Sequence, residues 1–408
     1  MLFRSCQWEG LVPGELETAQ HQLTEQVPHV ERVGCGIETD VRGHRPAREP
    51  RGECVAVGGV MHQSPGHEIV EQTCGRHGSM LPRRAPQTVT YCRCIAHVDP
   101  THESLLLQSA ACAALGSPMY EGLFAGLADD YEQGGVVRSF LHGASERPVH
   151  DALPLRLAGA LHRIVLGGRA DTLGRHYPSA GGSPGPGLVG DFTQAMSSHE
   201  NEIGAALREQ VQTNEVGRST VLLALARWLA ARGVDRHIHL EIGASAGLNL
   251  NHMLYGGHDG RTPMGSEHSD VSFGPEWFGA PLPLPGRSAV PALLLGVDPF
   301  PVDVTDPAGE LRLLSFIWPD QAERLERTRA AIRIAHNHPP HVDTASADEW
   351  LPGMLGTHSG HHTVVFHSIV WQYLGEKIRS AVRESLETAG ARASKDSTVI
   401  WEIGRAHV

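Results

Sequence analysis

At 408 residues the chain has room for two or three domains of about 150 residues each, and 40% hydrophobic against 20% charged residues is the balance of a globular protein. No apolar run approaches the roughly 20 residues of a membrane-spanning helix, which excludes a membrane protein. Asp plus Glu outnumber Lys plus Arg by 46 to 34, a formal charge of -12, so a basic surface tracking nucleic-acid phosphates is not expected.

Between Leu2 and Val12 the chain is interrupted by Arg4, Gln7 and Glu9, so no secretory leader is read there and the expected compartment is the cytoplasm. Cys6, Cys35, Cys54, Cys74, Cys92 and Cys94 all precede residue 95, and Cys112 alone follows. Cys92 and Cys94 with His97 do not have the spacing of a zinc knuckle, so no metal is expected. Residues 1–97 lack sustained hydrophobic periodicity and are read as an unassigned leader, disordered or spurious. The two ends read as translated sequencing adapter: Ile403–Val408 matches one adapter strand and Met1–Ser5 its reverse complement. Residues 403–408 are therefore expected to be a scar outside the fold.

Ordered structure is expected from Asp99. Asp99 caps a helix opened by Pro100 and stopped at Gly116; Ser117 and Pro118 repeat that grammar up to Gly134 and Gly135. A third helix spans about Asp151 to Leu166, a fourth about Asp191 to Gln210, and the Gly, Ser and Pro-rich stretch Tyr177 to Gly190 reads as a surface connection. Residues 98–236 thus form an all-helical subdomain. Its last helix, through Val221, Leu225 and Leu229 to Gly233, follows the polar hexad Thr213–Arg218, in which Asn214 reads as a helix cap whose neighbours could also face a ligand.

Residues 237–402 read as an α/β domain. His237 to Leu250 is an alternating strand, a glycine turn and the start of a helix. Gly243 and Gly247 allow a tight turn and close approach of a ligand to the backbone, and Glu241 offers a carboxylate at the strand end, the pattern of a nucleotide-type cofactor site. Ser245 and Asn249 lie in the same turn. Gly243 to Gly247 also fits the Gly-x-Ser-x-Gly nucleophile elbow, and a serine hydrolase with Ser245, Asp343 and His367 is one alternative; a non-catalytic cofactor-binding module is another. Against the hydrolase, everything ordered before Glu241 reads as helical.

Downstream, Ala292 to Val297 is a strand ending at Asp298, a candidate for ribose hydroxyls, and the Gly, Pro and His-rich residues 256–290 before it read as an insertion that could form a lid. A helix follows over Ala322 to Ile334. Asp343 and Asp348 fall where such folds contact an adenine, or cap a helix. Thr363 to Phe366 is a strand leading to His367, the best general-base candidate, though a lone strand-end His is more often a satisfied hydrogen-bonding group. His358, His361 and His362 read as a solvated loop.

Thr213–Arg218, Glu241–Leu250, Asp298–Asp303, Leu313–Gln321 and Val364–Leu374 together resemble the bacterial domain of unknown function 2332, over about Asp99 to Glu402. The stretches Gly-Ala-Ser-Ala-Gly-Leu-Asn-Leu and Phe-His-Ser-Ile-Val-Trp-Gln-Tyr-Leu carry most of the likeness. That family looks like the class I methyltransferase fold. The resemblance implies a Rossmann-like doubly wound sheet behind the helical subdomain, S-adenosylmethionine as cofactor and a small-molecule acceptor. It would put Glu241, Gly243 and Gly247 in the first cofactor motif, Asp298 in the second and the His367 region in the fourth. The sequence departs from the family at Ser346, where Asp is usual. It also ends after a fifth strand at Val399–Trp401, so the domain is expected to be C-terminally truncated.

Overall fold

The computed structural model describes residues 2–4, 32–33 and 99–404, except 280, 283 and 285. The cysteines before residue 95 and His97 lie outside the described residues.

The N-terminal half is helical. Asp99 accepts a hydrogen bond from the Thr101 N–H and starts α1 (Pro100–Ala114), and Ser117 accepts from Tyr120 N–H and starts α2 (Pro118–Glu132). Short α3 (Val136–Leu141) precedes α4 (Leu153–Leu166), and α5 (Asp171–Gly174) leads on to α6 (Leu188–Ser198). The single helix expected over 191–210 is broken at His199, beyond which α7 (Glu200–Ala206) runs on alone. Leu105, Leu123, Phe124, Leu127, Leu157, Leu161 and Phe192 meet in one core, which also takes in Trp318 from far along the chain.

The following α8 (Ser219–Ala231) belongs with the sheet: its Leu225, Trp228 and Leu229 pack on Val364 and Ile400. Central strand β3 (Arg236–Ile242) pairs in parallel with β7 (Val290–Asp298) on one side and β9 (Thr363–His367) on the other; β8 (Val342–Thr344) lies beyond β7 and β10 (Val399–Ile403) beyond β9. The five strands therefore stand in the order β8-β7-β3-β9-β10, and the order reverses between β3 and β9. Two short parallel segments, β1 (Leu2–Arg4) and β2 (Arg32–Val33), continue the sheet past β10. Ile403 pairs with His367 and the Gly404 N–H bonds the His367 carbonyl, so the last strand runs one residue past the boundary read at 402.

Alternation sorts the side chains of β3 onto two faces. Ile238, Leu240 and Ile242 pack with Trp350 and Leu351 of α11 (Ala347–Thr357) and Val382 and Leu386 of α12 (Glu376–Ala391). His237, His239 and Glu241 point to the other face, and all three are buried. That face is covered by α8 and by the 3-10 segment Leu248–Leu254, so the turn after β3 opens a 3-10 segment rather than the expected α-helix.

The 256–290 insertion is folded. Strands β4 (Gly256–His258), β5 (Pro263–Gly265) and β6 (Ser272–Phe273) form a small sheet in the order β5-β4-β6. A fully buried ion pair, Arg227 Nη1 to Asp259 Oδ2 at 2.7 Å, ties it to α8. Two further helices, α9 (Pro307–Ser315) and α10 (Ala322–Asn337), complete the domain. No helix among the described residues is long and apolar enough to cross a membrane.

Candidate functional site

Parallel strands present their carboxyl ends along one edge, and a crevice forms where the strand order reverses. Here that edge gathers Glu241 and Ile242 of β3, Asp298 of β7 and His367 of β9 around the turn 243–247. Gly243 and Gly247 both have φ of +70°, a conformation glycine adopts at little cost. Ser245 between them also has a positive φ, +54°, which is strained for a side-chain-bearing residue. Three bonds hold the strained turn: the Gly243 and Ala244 N–H groups donate to the Val297 carbonyl, and the Ser245 N–H donates to Asp298 Oδ2 at 3.0 Å. Asp298 Oδ1 accepts from Gln212 and from the Phe300 N–H as well. The carboxylate read as a ribose contact is thus committed to shaping the turn.

The polar hexad converges on the same place. Asn214, read as a helix cap, instead accepts from the Leu248 N–H at 2.8 Å and clamps the far end of the turn; the cap at this point is Glu215, which accepts from the Gly217 N–H. Glu215 also pairs with Arg324 at 2.6 Å. Arg218 donates from Nη1 to Ser368 Oγ at 3.0 Å, while its buried Nε has no partner. Sequence reasoning left Arg218 without an individual role.

Glu241 is 2% exposed. Its Oε1 accepts from Asn249 Nδ2 at 3.4 Å, and Asn249 is itself fixed by the Ser219 hydroxyl at 2.9 Å, but Oε2 has no partner. Burial pushes this carboxyl up to about 8, with Asp298 adding to the rise while Asn249 and Arg218 oppose it. Beneath it, His237 is held down to about 3 and His252 to about 4, and His239 well below its ordinary value, in each case chiefly by burial.

His367 is buried, its ring stacked on Trp371 at 4.9 Å and 15°, with Trp401 5.8 Å away. Nδ1 faces the Ser368 carbonyl at 3.1 Å and Nε2 has no partner; burial holds the group down to about 4. An imidazole so placed is neutral and hard to protonate, which suits packing and hydrogen-bond acceptance better than general-base work near pH 7. The alternative relay is not assembled: Asp343 bonds His341 and the Trp350 indole N–H, and the buried Ser245 Oγ has no partner. Asp348 accepts from the Ser346 hydroxyl in the first turn of α11, a helix-start position that favours an acidic residue.

The two glycines are closely approached by side chains of the chain itself. A Cβ on Gly243 would stand 2.6 Å from Val370, and one on Gly247 2.8 Å from Pro340 and Val342. Val370 and Trp371 belong to the 3-10 turn Ile369–Tyr373, none of whose residues is buried. His358 and His361 lie at the opposite end of the sheet, beside a cavity of about 360 Å³ between α11 and α12. Among the described residues no group of three His, Cys, Asp or Glu side chains is placed to hold a metal.

This arrangement predicts a two-sided pH dependence of stability. The neutral buried histidines, whose ordinary value is 6.5, contribute stability that is full above pH 6.5 and lost as pH falls through about 4. Glu241 works oppositely: its contribution is full below its ordinary 4.5 and lost as pH rises through about 8. Urea midpoints should therefore peak near pH 6.5, and Glu241→Gln should make the alkaline fall shallower, the remainder coming from Glu402, whose buried carboxyl is also raised. A wild-type midpoint constant from pH 6.5 to 8 would contradict this assignment.

No curated protein and no solved structure matches the chain. The signature of a family described as an uncharacterised protein conserved in bacteria, domain of unknown function 2332, matches residues 102–405, taking in the helical half, the glycine turn and all five main strands. The chain is a member of that bacterial family.

Proposed function

We propose that this chain is a Rossmann-like protein of the class I methyltransferase type, which binds S-adenosylmethionine at the carboxyl ends of β3 and β7 and methylates a small-molecule acceptor. The observation that carries the reading is Glu241: a buried carboxylate with an unpartnered oxygen, at the end of the central strand, where the sheet order reverses. Burying such a group without a partner is costly, so a ligand that donates to Oε2 supplies what the fold leaves out.

The residues fit that cofactor on two counts. Glu241 is aimed by Asn249 and Ser219, and the glycine turn is fixed from both ends by Asp298 and Asn214. The bound sulfonium supplies the electrophilic methyl group. The chain then has to orient the acceptor in line with it and exclude water, effects worth about 7–11 kcal/mol in favourable cases. Val370 lies close over Gly243, so entry is expected to require the Ile369–Tyr373 segment to swing outward.

Calorimetry on the full chain tests the reading. S-adenosylmethionine is expected to bind wild type and to bind Glu241→Ala at least about tenfold more weakly, the loss of a charge-assisted hydrogen bond. Absence of binding to a folded wild type would overturn it, and binding without methyl transfer across a broad acceptor panel would favour a non-catalytic module. If the covering turn competes with ligand, Val370→Ala should tighten binding, because the apparent affinity rises with the open fraction. An unchanged or weakened affinity would show that Val370 is not displaced.

A further inference from the structure

Three arginines gather around one acid beside the crevice. Glu215 Oε2 meets Arg324 Nε at 2.6 Å, and Oε1 meets Arg327 Nη2 at 3.6 Å while accepting from the Gly217 N–H at 3.0 Å. Arg218 follows Gly217 and reaches the carboxyl end of β9, where it donates to Ser368 Oγ at 3.0 Å. The insertion closes the group: the Arg327 guanidinium lies 4.7 Å from the centre of the Trp277 ring, and a Cβ on Gly217 would stand 2.5 Å from that same ring. Glu215 and Trp277 thus each link Arg327 to the turn that carries Arg218. Burial works to raise the Glu215 carboxyl, but Arg324, the Gly217 N–H, Arg327 and Arg218 prevail and hold it below its ordinary value. Guanidinium groups stay protonated at any ordinary pH, so three positive charges stand against one negative. Glu326, further along α10, is taken by Arg329 at 2.6 Å. In a chain of net charge -12 this is a local reversal of sign. Arg218 Nε and Arg327 Nε are both buried and have no hydrogen-bond partner among the described residues, although such groups are normally paired.

We infer that Arg218 and Arg327, with Arg324 adding its charge, form a binding site for an anionic group, a carboxylate or a phosphate, on the molecule that enters the crevice. Under the methyl-transfer reading, on which this part rests, that molecule is the acceptor, and its class is then an organic acid or a phosphate ester. An oxyanion accepts charge-assisted bonds from guanidinium N–H groups in the geometry these side chains favour. An amine acceptor carrying a positive charge would face the surplus arginine charge and is disfavoured. Arg324 and Arg327 remain partly exposed, so the group can be reached from solvent.

Calorimetry on the full chain at low ionic strength, with inorganic phosphate and with acetate as probes, tests the site, and the tighter of the two tells phosphate from carboxylate. Arg218→Gln should weaken that binding at least about tenfold, the loss of a charge-assisted hydrogen bond. Glu215→Gln keeps an oxygen for the Gly217 N–H but removes the opposing charge, so it should tighten binding by about two- to fivefold. Opposite signs from two variants that circular dichroism shows to be folded are not what a merely structural charge cluster would give. No binding of either anion to wild type, or an affinity unchanged by Glu215→Gln, would overturn the inference. Saturating S-adenosylhomocysteine should leave the anion affinity within about twofold, as for separate sites. Competition between the two would give the arginines to the cofactor's own carboxylate and overturn the assignment to the acceptor. Failure of S-adenosylmethionine to bind, with both variants behaving as stated, would sink the cofactor reading while the anion site stands.

Discussion

Asp259→Ala is expected to cost about 3–5 kcal/mol of stability, the range for removing one member of a buried ion pair. Neither partner of the Arg227–Asp259 pair is exposed. The Asp259 oxygens also accept from the backbone N–H groups of Arg261, Thr262 and Leu282, and Arg227 Nη2 donates to the Leu284 carbonyl. Burial works to raise the Asp259 carboxyl, but the Arg227 bond and those backbone donors prevail and hold it well below the usual carboxylate range. Alanine would leave a guanidinium stranded in the middle of α8, against the sheet core. Adding Arg227→Met to Asp259→Ala should recover part of the loss, because no guanidinium is then left without its carboxylate, while the three backbone N–H groups still lack their acceptor. Urea unfolding of the two single variants and the double variant checks this, and an additive double variant would remove the coupling claimed for the pair.

The opposite sign is expected at Glu402. This residue lies in β10 beside Phe366, is fully buried, and has no hydrogen-bond partner for either carboxylate oxygen among the described residues. Burial alone pushes its carboxyl well above the ordinary value. Glu402→Leu should therefore stabilise the chain by about 2–3 kcal/mol, the cost of an unsatisfied buried polar group. On a domain of this size that is a rise in melting temperature of roughly 4–10 °C. The gain should grow from pH 5 to pH 8, since a carboxyl raised in the fold contributes less as the unfolded chain ionises. A neutral or destabilising result in thermal unfolding would overturn the assignment of Glu402 as an unpartnered carboxyl.

Much of the helical half could be read from the chain because its signals are local. Asp99-Pro100 and Ser117-Pro118 open the helices they were read to open. The same grammar at Asp306-Pro307 opens α9, and Ile378, Val382 and Leu386 give α12 its helical period. Where a residue's partner lies far away in the chain, local pattern does not show it. Asn214 looks like a cap until Leu248, 34 residues on, is seen to donate to it. The insertion looked like loop because its strands are two or three residues long and are held by a side chain of α8. Alternation announced a strand at 237–242, but gave no sign that its polar face would also be buried. A glycine, likewise, signals a close approach without saying by what: at Gly243 the neighbour is Val370.

The stretch 307–320 bears on how the crevice can open. Phe316 fills the space beside Gly159, the Ser315 carbonyl meets buried His162 at 3.0 Å, and Asp320 takes hydrogen bonds from Ser117 Oγ and the Met119 N–H at the head of α2. It is a rivet through both halves, so neither half can rock against the other without tearing packed and bonded contacts. A whole-body hinge of the kind that admits ligands between loosely joined lobes is closed to this architecture. Under the proposed cofactor reading, entry then falls to the Ile369–Tyr373 turn alone, with the two halves serving as a rigid anvil.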